Sequence, residues 1–412
     1  MSNGGYIVTL DIGTSRVRLI VAEVHANGNI HIVGVGSAVS RGMKKGAIID
    51  IDHAVQSIRE AVDDAERMVG IEVSEVFVGI SGNHVSLQPS HGVVAVSSED
   101  REIGSQDIER VLQAARVIAL PPEREIIEVM PKQFIVDGLG EIRDPHGMIG
   151  VRLEVDALIV TGAKTVIHNV LRCVERAELS VAGMLLLPMA TSELCLSADE
   201  KNLGVVMADL GGGTTTISVF QHGHLAATAV IPVGGDNITN DIAIGLQTDT
   251  ETAEKIKRQY GVASVQEASK EVTFQIRTIG SQREKSVTQW ELAQIIEPRV
   301  EELFHLIQQQ VEELGFSKNP VGGYVLTGGV MSLPHILTVA QDQLGQAVRV
   351  AVPDYIGVQD PSYTAGIGMV HYLLKRRMVR LVEPDTESPT RARKPKGPSP
   401  LERMKNWLSE FI

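Results

Sequence analysis

The sequence predicts an α/β protein of two similar domains, and three observations carry that prediction. Residues 205–208 and 217–220 are apolar runs of strand character, and between them stands Asp209-Leu210-Gly211-Gly212-Gly213-Thr214-Thr215-Thr216, a strand that ends in a carboxylate and turns on glycine. The pattern also occurs 198 positions earlier, where a strand at 6–11 runs into Asp11-Ile12-Gly13-Thr14-Ser15, so that Asp11 matches Asp209 and Gly13 matches Gly211. A repeat this long is no solenoid unit and implies two domains of like construction. The third observation is a short strand at 324–327 followed by Gly328-Gly329 and a helix, with Ser332 expected as its N-cap and Pro334 in its first turn.

Such turns have a chemistry. Glycines let backbone N–H groups come close to a phosphate, threonine hydroxyls add donors, and a carboxylate at a strand end can hold Mg2+ through its water shell. Two hairpins of this kind facing each other can grip a triphosphate from both sides, and the third turn leaves room for a base or ribose.

From the N-terminus, strands at 6–11, 16–21 and 30–35 form a meander with a turn at Asn27-Gly28-Asn29. Ala54, Val55, Ile58, Ala61, Val62, Ala65 and Met68 recur at helical spacing over 52–69, and Gly70 stops that helix. A strand at 76–80 ends in Ser81-Gly82. Residues 84–161 then interrupt the repeat with a β-rich start at 85–96, a helix from 105 to about 118, a turn at Pro121-Pro122 and strands near 126–136 and 151–160. Their apolar content makes them a subdomain rather than a loop. The core resumes with a helix at 164–178, a strand at 181–187 and a helix after Pro188.

In the second half the meander closes with a turn at His222-Gly223 and a strand at 225–231. A helix is expected from Asp236 to Leu246 and another over 252–260, ending at Gly261. Residues 262–288 read as a small β segment, and Thr288 caps a long helix, 289–314, broken or kinked near Pro298. The helix at 363–374 is expected to complete the second core.

Composition narrows the function classes. With 43% hydrophobic residues the chain can bury substantial cores, and its net charge is −13. Residues 375–412 hold ten Lys and Arg against five Asp and Glu, which leaves −18 on the body; that body repels nucleic acid and the tail is a separate electrostatic object. Cys173 and Cys195 are the only cysteines, as expected in a reducing compartment, and neither CxxC nor HExxH occurs. The N-terminus has no signal-peptide pattern, and no run of 18 apolar residues is present, so a cytoplasmic chain is expected unless its end attaches it to something.

That end has a pattern of its own. Between 383 and 400 stand Pro384, Pro389, Pro395, Pro398 and Pro400, with Arg391, Arg393, Lys394 and Lys396 among them, the composition of a disordered basic linker. At 100° per residue Leu401, Met404, Trp407, Leu408, Phe411 and Ile412 share an arc of roughly 140°. Glu402, Arg403, Asn406, Ser409 and Glu410 lie opposite. A tethered helix with Trp and Phe on its apolar face suits a bilayer interface, the linker cations being drawn to anionic lipid. Docking in a partner groove and folding back on the body are the alternatives. One short helix binds weakly, so stable attachment needs several tails acting together, as in a polymer.

The three glycine elements, in this order, resemble the phosphate-1, phosphate-2 and adenosine motifs of the actin, Hsp70 and sugar-kinase superfamily. The resemblance implies an actin-like fold of two ribonuclease-H-like domains, with ATP and Mg2+ as cofactors. Asp11 and Asp209 would position hydrated Mg2+, and Gly13, Thr14, Ser15, Gly211, Gly212, Gly213, Thr214 and Thr215 would donate to the phosphates. Gly328 and Gly329 would border the adenine. Glu254 and Lys257 sit where Hsp70-like proteins place a Glu and a Lys that reach ribose and base; their spacing alone is also that of a solvated helix face. Actin-like and Hsp70-like members generally carry a Gln or Glu near the start of the connecting helix to orient the attacking water. Here Leu187 stands before Pro188 and cannot align a water. Thr191, Ser192 or Glu193 could substitute one turn later, but the reading is tight nucleotide binding with slow or negligible turnover.

The position of the insertion, together with Ile231-Pro232-Val233-Gly234-Gly235-Asp236-Asn237-Ile238-Thr239, Leu326-Thr327-Gly328-Gly329 and the C-terminal amphipathic pattern, resembles the FtsA family of actin-like bacterial division proteins. In that family's terms, 1–83 and 162–199 would be subdomain 1A, 84–161 subdomain 1C, 200–239 and 313–380 subdomain 2A, and 240–312 subdomain 2B. Residues 381–399 would be the linker and 400–412 the membrane-targeting helix. The resemblance implies a peripheral membrane protein of the division septum that binds ATP, polymerises with itself, tethers FtsZ filaments through 2B to anionic lipids of the cytoplasmic membrane, and recruits later division proteins. A PilM-type scaffold shares the fold and insertion but not this terminal helix. A small-molecule kinase of the fold would need a general-base carboxylate, for which neither half offers an obvious candidate.

Overall fold

The computed structural model describes residues 5–25, 28–279, 284–345 and 347–376. Strands β1 (Gly5–Ile12), β2 (Arg16–Val24) and β3 (Ile30–Val39) form an antiparallel meander, followed by a short ribbon, β4 (Met43–Lys44) and β5 (Ala47–Ile48). Helix α1 (Ile51–Val69) starts on Asp50, whose side chain accepts from the His53 N–H, and stops at Gly70 in the left-handed region, φ 75°. Its face of Ala54, Val55, Ile58, Ala61, Val62 and Ala65 is buried, whereas Met68 is 61% exposed, outside the expected stripe. Gly36 lets the helix approach β3, because a Cβ there would lie 1.8 Å from the Ala61 carbonyl oxygen. Strand β6 (Glu75–Ile80) then runs parallel to β1.

The inserted segment comprises β7 (Ser86–Ala95), α2 (Ser105–Ala115), β8 (Arg124–Val136), β9 (Leu139–Ile142) and β10 (Arg152–Ala163), a sheet of order β7-β10-β8-β9 with its own core around Ile103, Val111, Leu153 and Val155. β8 and β10 reach beyond that core: Ile127, Met130, Leu158 and Val160 pack in the first domain. Helix α3 (Lys164–Arg176), strand β11 (Ser180–Leu186), α4 (Leu187–Cys195) and α5 (Ala198–Leu203) finish this half.

The second half repeats the plan with β12 (Val205–Leu210), β13 (Thr215–Gln221) and β14 (His224–Ile231). Next come α6 (Gly235–Leu246), α7 (Thr250–Tyr260), the ribbon β15 (Thr273–Arg277) and β16 (Glu284–Thr288), and α8 (Gln289–Glu313). β17 (Tyr324–Thr327), α9 (Ile336–Leu344), β18 (Val348–Val350) and α10 (Thr364–Lys375) complete the chain. The two large sheets have orders β11-β6-β1-β2-β3 and β14-β13-β12-β17-β18, the same order in corresponding strands. The internal repeat is thus an α/β repeat of the actin-like kind.

Three local expectations are corrected. The helix at 289–313 is unbroken at Pro298: Leu292, Ile296, Val300, Leu303, Phe304 and Ile307 bury one continuous stripe, which outweighs one lost backbone hydrogen bond. Ser332 ends a 3-10 turn, Gly329–Ser332, and donates to Asp360 Oδ2 at 3.0 Å, while α9 is capped by His335 at φ 60°. Helix α10 does not complete the second core. Met369, Val370, Tyr372 and Leu373 pack with Ile7, Ala22, Leu185 and Ala190 of the first domain, because Gly368 admits α4 so closely that a Cβ would lie 2.6 Å from the Ala190 carbonyl oxygen.

Both cysteines are buried free thiols. Among the described residues no helix is long and apolar enough to cross a membrane. The anchor residues Leu401, Met404, Trp407, Leu408, Phe411 and Ile412, and the basic segment before them, lie outside the described residues.

Candidate functional site

The two repeated hairpins face each other across a cleft of about 430 Å3 between the domains. Asp11, Gly13, Thr14 and Ser15 line one wall, and Asp209, Gly211, Gly212 and Thr214 the other. Gly328 and Gly329 border it from the end of β17, and Glu254 and Lys257 reach it from α7. Residues from four separate stretches, all flagged by sequence, therefore converge.

The turns are built alike. The Gly13 N–H donates to the Arg16 carbonyl at 3.1 Å, and the Gly211 N–H donates to the Thr214 carbonyl at 2.9 Å. These two N–H groups close their own hairpins, so phosphate contacts would fall to the rest of each turn. Ser15 Oγ donates to Asp236 Oδ1 at 2.7 Å, and Thr14 Oγ1 accepts from the Gly46 N–H at 2.9 Å. The hairpins approach so closely that a Cβ on Gly212 would lie 1.7 Å from Ser15 Oγ, and one on Gly213 2.5 Å from Thr14 Cγ2. Two expected ligands are turned to structural use. Gly213 packs on Thr14 and does not line the cleft, and Thr215 is buried with its hydroxyl donating to the Val233 carbonyl at 2.9 Å.

The electrostatics of the cleft are mixed. Burial pushes the Asp11 carboxyl above its ordinary range, with Arg18 opposing. Burial, reinforced by the negative charge of Asp11, pushes Asp209 up to about 6, again against Arg18. Arg16, Arg18, Lys257 and Arg258 bring positive charge to the same space. Burial, with Arg258 and Arg18 as like-charged neighbours, lowers Arg16. Arg18 lies 5.4 Å over the Tyr363 ring, and its buried Nε has no hydrogen-bond partner among the described residues.

Glu254 and Lys257 are a pair at 2.6 Å, with Lys257 Nζ also donating to Thr239 Oγ1 at 2.6 Å and to the Gly235 carbonyl at 3.0 Å. Burial works against the Glu254 carboxylate, yet Lys257, Thr239 and Arg258 hold it below its ordinary range. This is a built corner of the cleft and not a solvated helix face.

These groups fit a magnesium nucleotide. Burial raises both carboxyls, and the charge of Asp11 adds to the shift at Asp209; a divalent cation beside them would offset that cost, and an orphaned guanidinium nitrogen in the same cleft suits a phosphate oxygen. No cluster of three or more metal-ligating side chains exists among the described residues, so a cation would be held through water and phosphate rather than in a protein cage.

Leu187 lines the cleft and packs over Gly79, where a Cβ would lie 2.3 Å from Leu187 Cδ2. The expected substitutes do not reach it. Thr191 is buried, Ser192 Oγ donates to the Met189 carbonyl at 2.8 Å, and Glu193 is held between Lys201 at 2.9 Å and Lys375 at 2.6 Å. Sequence reasoning missed Arg16, Arg18, His84, Asp236 and Asp360, all of which line the cleft. The alternation of Arg16 and Arg18 along β2 and the acidic residue after Gly234-Gly235 were available signals; His84 and Asp360 carried none.

Comparison with known proteins agrees with this architecture. The family model described as cell division protein FtsA matches residues 206–368, and that of the SHS2 domain inserted in FtsA matches residues 82–161. The chain is 49% identical to cell division protein FtsA of Bacillus subtilis over 380 residues, 92% of this chain and 86% of that one. To the FtsA of Pseudomonas aeruginosa it is 38% identical over 413 residues, covering 99% and 98% of the two chains. A solved PilM-PilN type IV pilus biogenesis complex superposes with a TM-score of 0.60 at 18% identity, covering 88% of this chain and 97% of that one, which is a likeness of fold.

Proposed function

This chain belongs to the FtsA family of cell division proteins, and from that premise we propose that it binds ATP with Mg2+ in the interdomain cleft, polymerises, and tethers FtsZ filaments to the cytoplasmic membrane at the division septum. The observation that carries the reading is the pair of matched hairpins, each following a half-buried carboxylate, Asp11 and Asp209, facing one cleft.

In this reading Asp11 and Asp209 hold the water shell of the cation, the hydroxyls of Thr14 and Thr214 with the turn amides donate to phosphate oxygens, and the Ser15 hydroxyl joins them by exchanging Asp236 for phosphate as its acceptor. Bound Mg2+ supplies charge neutralisation between the phosphates. The Glu254–Lys257 corner takes the ribose and the Gly328-Gly329 turn the base. Leu187 offers no hydrogen bond to an attacking water, so the nucleotide serves as a structural ligand with slow turnover at most.

The membrane part of the reading rests on the stripe Leu401, Met404, Trp407, Leu408, Phe411 and Ile412 and the cations before it. The acidic body disfavours nucleic acid as a partner. FtsZ and the later division proteins enter through family membership.

The test is co-sedimentation with anionic liposomes, with and without ATP and Mg2+, of the intact chain and a Trp407→Glu, Phe411→Glu double variant. Nucleotide-enhanced pelleting that the variant loses is the expected result. If the intact chain stays in the supernatant, the tail docks on protein and the anchor reading fails.

A further inference from the structure

The inserted sheet joins the first domain through a narrow neck, and one guanidinium organises it. Arg124 Nη2 donates to the His84 carbonyl at 2.9 Å, to Ser86 Oγ at 2.7 Å and to the Thr161 carbonyl at 3.0 Å, and Arg124 Nε donates to Thr161 Oγ1 at 3.1 Å. The chain entering the insertion, the start of β8 and the end of β10 are thus fixed to one side chain.

The His84 ring lies inside this neck. A Cβ on Gly82, which has φ +138°, would sit 2.8 Å from His84 Nδ1, and one on Gly162 would sit 3.4 Å from Cδ2, so the ring is held between glycines at the two ends of the insertion. The same side chain lines the cleft together with Ser81 and Leu187. Its Nε2 is buried and has no hydrogen-bond partner among the described residues. A buried, unpaired imidazole nitrogen is costly unless something pairs with it. Burial and the charge of Arg124 lower the ring's proton affinity, so the neutral form is present at neutral pH.

We propose that His84 is a ligand-contacting residue of the cleft, whose Nε2 finds its partner in the terminal phosphate of a bound nucleoside triphosphate, or in a water that phosphate holds, and thereby reports the triphosphate state to the inserted sheet. The inference rests on the nucleotide reading above. It places the terminal phosphate toward Ser81 and Leu187, away from the Glu254–Lys257 corner and the Gly328-Gly329 turn assigned to ribose and base. Transmission needs no large motion. His84 bears on Gly82 and Gly162, and its own carbonyl is one of the acceptors of Arg124.

The experiment is hydrogen exchange of the full chain without nucleotide, with Mg-ADP and with Mg-AMPPNP, followed at residues 82–87, 124–127 and 159–163, alongside binding of both nucleotides. Variants are His84→Ala and His84→Gln, the latter keeping a donor and acceptor at similar reach. In the wild type AMPPNP slows exchange in the neck more than ADP does. His84→Ala loses that difference and about tenfold in AMPPNP affinity, with ADP affinity little changed, and His84→Gln recovers part of both. An AMPPNP-specific slowing that survives in His84→Ala, or a wild-type neck that ignores which nucleotide is bound, overturns the inference and leaves nucleotide binding standing. Failure of the wild type to bind either nucleotide overturns both.

Discussion

Ser15 and Asp236, 221 positions apart, share a 2.7 Å hydrogen bond that ties the first hairpin to the start of α6 in the second domain. The N–H groups of Gly235 and Asp236 donate to the carbonyls of Gly211 and Gly212 at 3.0 and 2.8 Å, so both hairpins and the helix form one connected set. A ligand that enters between the hairpins therefore acts on the closure of the two domains.

The pH dependence of stability follows from Asp209, whose carboxyl is raised from 3.8 to about 6. The folded chain holds this proton more tightly than the unfolded chain, so stability falls as pH rises from about 4 to about 6 and stays reduced above it. Asp209→Asn should raise the Tm of the nucleotide-free chain at pH 7.5, by the equivalent of roughly 2 kcal/mol, with the gain shrinking toward pH 4. The same variant should lose the stabilisation that Mg-ATP gives the wild type. Equal melting of both chains at pH 7.5 would show that Asp209 ionises without hindrance.

Gly328 has φ +93°, and a Cβ on it would lie 2.3 Å from Asp209 Oδ1 and 2.5 Å from the Leu210 carbonyl oxygen. Gly328→Ala should cost more than about 2 kcal/mol and abolish nucleotide binding. Gly345→Ala is the control, with φ +94° and nothing within 4 Å, so it meets the strain alone. Chemical denaturation of the two variants separates clash from strain; similar losses would remove the steric argument.

Glu254 and Lys257 should prove coupled. A double-mutant cycle with Glu254→Gln and Lys257→Met, read by thermal unfolding, should give an interaction of about 1–2 kcal/mol, since the Lys257 side chain is only 12% exposed. Each single change should weaken nucleotide binding about tenfold. Additive effects would return the pair to a solvated helix face.

Leu187→Gln introduces an amide where water must be oriented. Phosphate release under saturating ATP should rise about tenfold or more, with binding within twofold of wild type, whereas Leu187→Ala should leave turnover unchanged. No gain in the Gln variant would remove Leu187 as the reason for the slow turnover proposed above.

Arg376, the last described residue, pairs with the buried Glu128 of β8, which also accepts from the Tyr372 hydroxyl. Burial and the neighbouring carboxylate push that phenol well above its ordinary value. Arg376→Leu should destabilise the chain by about 3 kcal/mol by leaving a buried carboxylate unpaired, and adding Glu128→Leu should recover most of the loss. Urea midpoints of the single and double variants decide it. A single variant as stable as wild type would show that the pair carries nothing.

The sequence by itself determined the two-domain α/β plan, because strand composition, glycine turns and a repeat at 198 positions are local signals that need no knowledge of packing. It also located the aspartates, the hairpins and the Gly328-Gly329 turn, since each sits at the end of a recognisable element, whereas the Glu254–Lys257 pair, within α7, came from the family resemblance. Only the tertiary structure decided which groups of those motifs face the cleft. Thr215 and the Gly13 and Gly211 amides turned out to be used inside the hairpins, and Arg18, His84 and Asp360 entered the site through contacts between distant segments. The helix at 364–375 joined the first domain instead of the second for the same reason. Periodicity shows that a face is apolar, but which core receives it depends on where small residues such as Gly368 let two backbones meet.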